Sequence, residues 1–263
     1  MTPKLSIITT VYNCGQFLEE SIQSVLDQTF TDYEWIFVND GSKDNTRDIL
    51  LKYFKLPNIR ILENKYNEGI AVSRNRGLLA AKGEYVAIHD GDDISLSLRF
   101  EDQYKYLDKN PLVGFLGSHA IKIGQSGEHT GFMSYPPLTT TQGFAYVLRY
   151  KLNPIIDSSS MYRRKLVIKY GGYSMIYRYS SDFGLWCRLM ANGVELSNLQ
   201  YPLIKYRTHD KNVTKTAHVE MRRETDDIVA KLRRRSFPSV QLRSSYFKQD
   251  SFTEILNNEV KEN

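Results

Sequence analysis

The chain has 263 residues, 41% of them hydrophobic, with 18 Tyr, 12 Phe and 2 Trp to fill a core and 25% charged residues. That composition suits one α/β domain or two small ones and excludes disordered and collagen-like classes. The formal charge is +5, but 231–249 holds six basic residues and no acid, so the remainder is nearly neutral, which argues against a nucleic-acid groove.

Cys14 and Cys187 are too few for a disulfide framework. No run approaches the roughly 18 apolar residues of a membrane span, and the opening Met1-Thr2-Pro3 does not read as a leader. A reducing, cytoplasmic setting is the expectation.

Along the chain, 5–12 is a β-branched apolar run of the kind buried in a parallel sheet. Residues 17–28 space Phe17, Leu18, Ile22, Val25 and Leu26 as an amphipathic helix. A strand at 33–38, a helix at 46–54, a strand at 58–62, a helix at 70–81 and a strand at 84–89 follow. Gly83 reads as the left-handed cap of the 70–81 helix. This alternation predicts an open, twisted, mostly parallel sheet flanked by helices. A helix at 96–109 stops at Asn110-Pro111, the pattern over 111–160 is less regular, 180–192 reads as a helix, and charged helix continues past Thr214.

Ligands of such sheets bind beyond the carboxyl ends of the strands. Three polar clusters lie there: Thr10-Val11-Tyr12-Asn13, Asn39-Asp40-Gly41-Ser42 and Asp90-Gly91-Asp92-Asp93. No glycine-rich dinucleotide or P-loop motif follows any strand. In extended chain, Asp90 and Asp92 face the same side, with Gly91 admitting a ligand between them. Hard carboxylate oxygens suit Mg²⁺ or Mn²⁺, which bridge to a diphosphate. The plain alternative is a turn in which Asp93 caps the following helix.

The order of Asn39-Asp40-Gly41-Ser42, Asn67-Glu68-Gly69, Ser73-Arg74-Asn75, Gly83-Glu84-Tyr85 and Asp90-Gly91-Asp92-Asp93, together with Thr10-Val11-Tyr12-Asn13, resembles the family 2 glycosyltransferases. The resemblance runs from about residue 5 to 214 and implies a GT-A fold with a C-terminal helical tail. It divides the chain into a nucleotide-sugar half (1–110), an acceptor half (111–214) and a basic tail (215–263). It implies that Thr10 and Tyr12 contact the base, usually uracil, that Asp40 accepts a hydrogen bond from it, and that Arg74 lies near the diphosphate. Asp90 then contacts ribose or metal, and Asp92 ligates Mn²⁺ or Mg²⁺. Thr10 and Tyr12 equally suit strand packing, Asp40 a turn, and Arg74 a solvated helix face.

In the second half, Asn153-Pro154-Ile155, Tyr170-Gly171-Gly172-Tyr173 and Ser181-Asp182-Phe183-Gly184 resemble the acceptor half of the family. Asp182 then stands where inverting members carry the general base, a carboxylate that receives the acceptor proton; its plain alternative is a helix cap. Ser181 replaces the usual Glu and Gly184 a common acid, Ser97 stands for a common Pro, and Asp157 stands where His or an apolar residue is usual. Tyr206-Arg207-Thr208-His209 resembles a late element whose His209 approaches the metal, whereas His89 reads as packing at a strand end.

The implied activity is metal-dependent, inverting transfer of a sugar from a nucleotide-sugar, UDP-linked, to a hydroxyl of a glycan or lipid-linked acceptor. A non-catalytic sugar-binding module of the same fold and a sugar nucleotidyltransferase are the alternatives; the latter wants a glycine-rich basic loop that Tyr12-Asn13-Cys14-Gly15 does not supply. Residues 231–248 interleave cations with Leu232, Phe237, Val240 and Leu242, a pattern able to touch an anionic membrane surface, although Pro238 interrupts it.

Overall fold

The computed structural model describes residues 2–135, 139–210 and 212–234. Its elements are β1 (Leu5–Val11), α1 (Gly15–Leu26), β2 (Tyr33–Asn39), α2 (Thr46–Leu51), β3 (Ile59–Glu63), α3 (Ile70–Ala80), β4 (Tyr85–Ile88), β5 (Ile94–Ser95), α4 (Arg99–Lys109), β6 (Val113–Ile123), β7 (His129–Met133), α5 (Thr140–Tyr150), β8 (Met161–Arg163), α6 (Arg164–Lys169), α7 (Ser181–Ala191), β9 (Glu195–Arg207), α8 (Val213–Thr216) and α9 (His218–Arg234). A single helical turn, Asp157–Ser159, precedes β8.

The strands form one sheet in the order β3-β2-β1-β4-β8-β6-β9-β5, with β7 paired to β6. The first four are parallel, as the alternation predicts, and β6 and β9 are parallel to each other. Antiparallel β8 joins the two parts, so the sheet is mixed. Residues 111–160, irregular in pattern, contain β6, one of the longest strands.

Successive side chains of a strand point to opposite faces, and here both faces are covered. Leu5 and Ile7 of β1 and Trp35 and Phe37 of β2 pack with Leu18, Ile22, Ile49 and Phe100 from α1, α2 and α4. Ile8, Ile36 and Val38 face the other way, toward a cluster holding Leu78 of α3, Trp186 and Leu189 of α7, and Ile228, Val229 and Leu232 of α9. The described part of the chain after residue 214 therefore shares the main core. Residues 235–248 of the basic segment expected to be able to touch a membrane lie outside the described residues. No helix among the described residues is long and apolar enough to cross a membrane.

Four local expectations are corrected. The second helix ends at Leu51, three residues short of Phe54. The helix expected from Leu96 starts at Arg99, because Ile94–Ser95 is taken into the sheet by pairing with β9. Asp93 caps no helix; its Oδ1 accepts the Arg207 backbone N–H at 2.8 Å, while Leu98 precedes α4. Gly83 is no left-handed cap, since α3 ends at an extended Ala81. Glycine is needed there because a Cβ would lie 2.6 Å from the Ser6 backbone nitrogen, whose own hydroxyl accepts the Gly83 N–H at 2.8 Å.

Candidate active site

The polar clusters at the ends of β1, β2 and β4 meet along one edge, as an open parallel sheet requires. The two nucleotide-side loops are stapled together. Ser42 Oγ accepts the Asn13 N–H, Asn13 Oδ1 accepts the Lys43 N–H at 2.7 Å, and Asp44 Oδ2 accepts the Gly15 N–H at 3.0 Å. Asp44 thus supplies a partner for one of the free N–H groups at the start of α1. Thr10 lies in the parallel register opposite Val38, and Tyr12, just past β1, is 48% exposed, its ring open to stacking.

Asp40 is buried and already engaged. Its Oδ1 accepts from Asn64 Nδ2 at 2.6 Å and from the Glu68 N–H at 2.9 Å, and its Oδ2 from the Gly69 N–H at 2.9 Å. It anchors the 67–69 loop, so any base it meets must approach the one oxygen with spare capacity, Oδ2.

Arg74 is only 3% exposed, which overturns the solvated-face alternative. It reaches Asp90 Oδ1 at 3.1 Å on one side and Asp157 on the other, over the Tyr173 ring. Burial opposes its charge, but Asp157 first and then Asp90 outweigh it, so the guanidinium holds its proton more tightly than usual. Burial likewise pushes the Asp157 carboxyl above the usual carboxylate range; Arg74 pulls it back only in part, and Asp182 and Asp90 push it further up. Asp157 is thereby the partner of Arg74, a role that the one-dimensional pattern, with the two residues far apart, does not show.

Gly91 is tightly enclosed: a Cβ there would lie 3.0 Å from Val11 Cγ1 and 3.1 Å from Cys14 Sγ. Next to it, Asp92 Oδ2 and His209 Nε2 stand 2.9 Å apart, with Asn212 Nδ2 3.4 Å from the same oxygen. Arg207 holds this corner by donating from Nε to the Asp92 carbonyl and from its guanidinium to Glu20, Gly124 and Gln125. His209 packs against Phe17, ring centroids 4.8 Å apart. His89 plays no part: wholly buried, it sits between Ser21 and Ser95 hydroxyls, as its packing role predicts.

Asp182 stands in the first turn of α7, after Ser180. Asn153 Nδ2 donates to its Oδ2 at 2.8 Å. Its negative charge favours the protonated forms of Arg74, Asp90 and Asp157.

A family model described as glycosyl transferase family 2 matches residues 6–171, more than half of the chain. The chain belongs to glycosyl transferase family 2. This family 2 transferase is 28% identical over 222 residues to an Escherichia coli protein named UDP-Glc:alpha-D-GlcNAc-diphosphoundecaprenol beta-1,3-glucosyltransferase, with 84% of each chain covered. Its fold resembles that of S. aureus TarS residues 1–349, solved with UDP-GlcNAc, at a TM-score of 0.67 and 20% identity, covering 96% of this chain and 77% of that one. It also resembles a mannosyltransferase from Pyrobaculum calidifontis, solved with GDP-Man and Mn²⁺, at a TM-score of 0.64 and 18% identity, covering 91% and 66%. Those likenesses establish the GT-A fold. Asp182, His209 and α9 lie beyond the residues that the family model matches.

The donor set fits a divalent cation of the substrate-bridging kind. Asp90 and Asp92 offer hard oxygens with side chains 30% and 24% exposed, and the His209 imidazole is already against Asp92. Among the described residues no three His, Cys, Asp or Glu converge as a closed cage. A Mg²⁺ or Mn²⁺ ion there would take one or two carboxylates from the protein and the rest of its shell from substrate phosphates and water.

Proposed function

We propose that this glycosyltransferase moves a sugar from a UDP-sugar to a hydroxyl of a lipid-linked or glycan acceptor, with inversion, in the building of a surface polysaccharide. What supports the reading is the arrangement just described: Asp90 and Asp157 paired through a buried Arg74 at the nucleotide edge, and the Asp182 carboxylate held by Asn153 at the start of α7. The relative that acts on a GlcNAc-diphosphoundecaprenol acceptor supports the acceptor class.

In this reading Tyr12 lies against the base, with Thr10 beside it and Asp40 accepting from it through Oδ2. Asp90 meets the ribose side, and Arg74 stands by the diphosphate. Asp92, with either His209 beside it or Asp90 near it, would hold Mn²⁺ or Mg²⁺, which when bound would neutralise charge on a departing diphosphate. The Asp182 carboxylate takes the acceptor proton as the hydroxyl oxygen attacks the anomeric carbon from the face opposite the nucleotide, and Asn153 holds that carboxylate in place. A lipid-carried acceptor together with a nucleotide-sugar donor would bring the enzyme to the inner face of a membrane.

The test has two stages. Thermal unfolding is followed with UDP-glucose, UDP-GlcNAc and GDP-mannose, with and without Mn²⁺; a true donor raises the melting temperature by mass action. Transfer to a short-chain GlcNAc diphospholipid is then measured for wild type and Asp182→Asn, which should lose about 10²–10⁴-fold in turnover. Near-normal turnover of a folded Asp182→Asn chain would remove Asp182 from the mechanism.

A further inference from the structure

The start of α7 carries the proposed base, yet no side chain of its own caps it. A helix leaves its first four N–H groups without intrahelical partners. Here a carboxylate of α9 instead binds the backbone that leads into the helix, up to its first flanking residue, Ser180. Glu224 of α9 accepts the Arg178 N–H through Oε1 at 2.8 Å, and the Tyr179 and Ser180 N–H groups through Oε2 at 3.0 and 2.8 Å.

The same loop is gripped twice more by α9. The Tyr177 hydroxyl donates to Asp227 at 2.7 Å and accepts from Lys231 at 2.7 Å. Ser180 Oγ donates to the Met221 carbonyl at 3.3 Å. Beneath these polar contacts Ile228, Val229 and Leu232 are buried in the cluster that includes Phe183 and Leu185 of α7. The loop 177–180 is therefore fixed by α9, and Asp182 lies two residues beyond it.

A base acts on an acceptor only when held in a near-attack position, and a misplacement of about 1 Å costs on the order of 10²-fold. Charge-assisted bonds to backbone N–H groups are among the stronger hydrogen bonds, and three of them converge on one side chain. We infer that Glu224 is a positioning residue for the transfer step, fixing the 178–180 backbone so that Asp182 meets the acceptor hydroxyl. The inference rests on Asp182 being the base. It gives α9, the last helix of the described residues, a part in positioning the base, and α9 lies outside the residues matched by the family model.

The experiment compares Glu224→Ala, Glu224→Gln and Asp226→Ala in the full chain. Asp226, also on α9, pairs with Lys151 at the end of α5, so it controls for a general loosening of α9. UDP release from UDP-glucose, with a short-chain GlcNAc diphospholipid as acceptor, gives kcat and KM. Calorimetry gives donor affinity, and circular dichroism the folded fraction. Glu224→Ala should lower kcat at least tenfold while donor affinity stays within twofold of wild type. Glu224→Gln should recover part of the loss, because its single oxygen can still accept from Tyr179 and Ser180. Asp226→Ala should match wild type.

Glu224→Ala with kcat within twofold of wild type overturns the inference, as does a fall in kcat and donor affinity together that tracks the folded fraction. An inactive Asp182→Asn beside a fully active Glu224→Ala sinks this inference alone; a fully active Asp182→Asn sinks it together with the base.

Discussion

Replacing Arg74 by Leu removes the only cation that pairs with Asp157 and with Asp90 among the described ion pairs. At an effective dielectric near 20, an opposite charge at contact contributes about 4 kcal/mol before desolvation, and breaking a buried pair costs about 3–5 kcal/mol because a bare charge stays behind. The Asp157 side chain is 11% exposed, so water cannot relieve it. With Arg74 gone the carboxyl must take up a proton at a pH far above the usual carboxylate range, which itself costs stability. Urea denaturation at pH 8 should therefore show Arg74→Leu less stable by about 3–5 kcal/mol.

The loss should shrink at pH 5. Burial already raises the folded-state affinity of Asp157 for a proton, and removing Arg74 raises it further. A carboxyl whose folded pKa lies above its unfolded value stabilises the fold at low pH and loses that contribution as pH rises. Adding Asp157→Asn to Arg74→Leu removes one uncompensated charge and should return at least about 1 kcal/mol, a coupling expected of residues in contact. A cost below about 1 kcal/mol for Arg74→Leu at pH 8, or no recovery in the double variant, would refute the reasoning.

Three further outcomes are expected. Burial, then Arg99, push the His89 imidazole down to about 3. Its neutral-state stability is present above the unfolded value near 6.5 and is lost as pH falls, by about 2 kcal/mol from pH 8 to pH 5; His89→Gln should flatten that slope in urea titrations, and equal slopes would contradict it. Gly83→Ala should cost about 1–3 kcal/mol by forcing a Cβ against the Ser6 backbone, read as a lowered denaturation midpoint, and an unchanged midpoint would show that β1 yields freely. Asp92→Asn should abolish the Mn²⁺-dependent part of the thermal shift given by a UDP-sugar while leaving the chain folded; a full Mn²⁺ response in that variant would place the cation elsewhere.

The nucleotide half was legible in the chain because its information is local. Buried parallel strands write themselves as apolar runs and their helices as 3.6-residue periodicity, and the acids of the site follow the strands directly. Asp40, Asp90 and Asp92 were named from such positions and Asp182 from the resemblance of the acceptor half, and the structure pairs Asp90 with Arg74. The sequence by itself thus determined the family, the first four strands and the candidate acids.

What only the tertiary structure decided is which groups answer one another. The burial of Arg74 depends on Asp157, the seat of Asp92 on His209 and Arg207, and the anchoring of the α7 start on Glu224. Each pair is distant along the chain and leaves no periodic trace. The same holds for β8, whose short antiparallel run is too brief to pattern and is placed by its two neighbours. Local periodicity records which side of an element is buried, whereas the charge that a buried side chain meets is set by whatever element the fold lays against it.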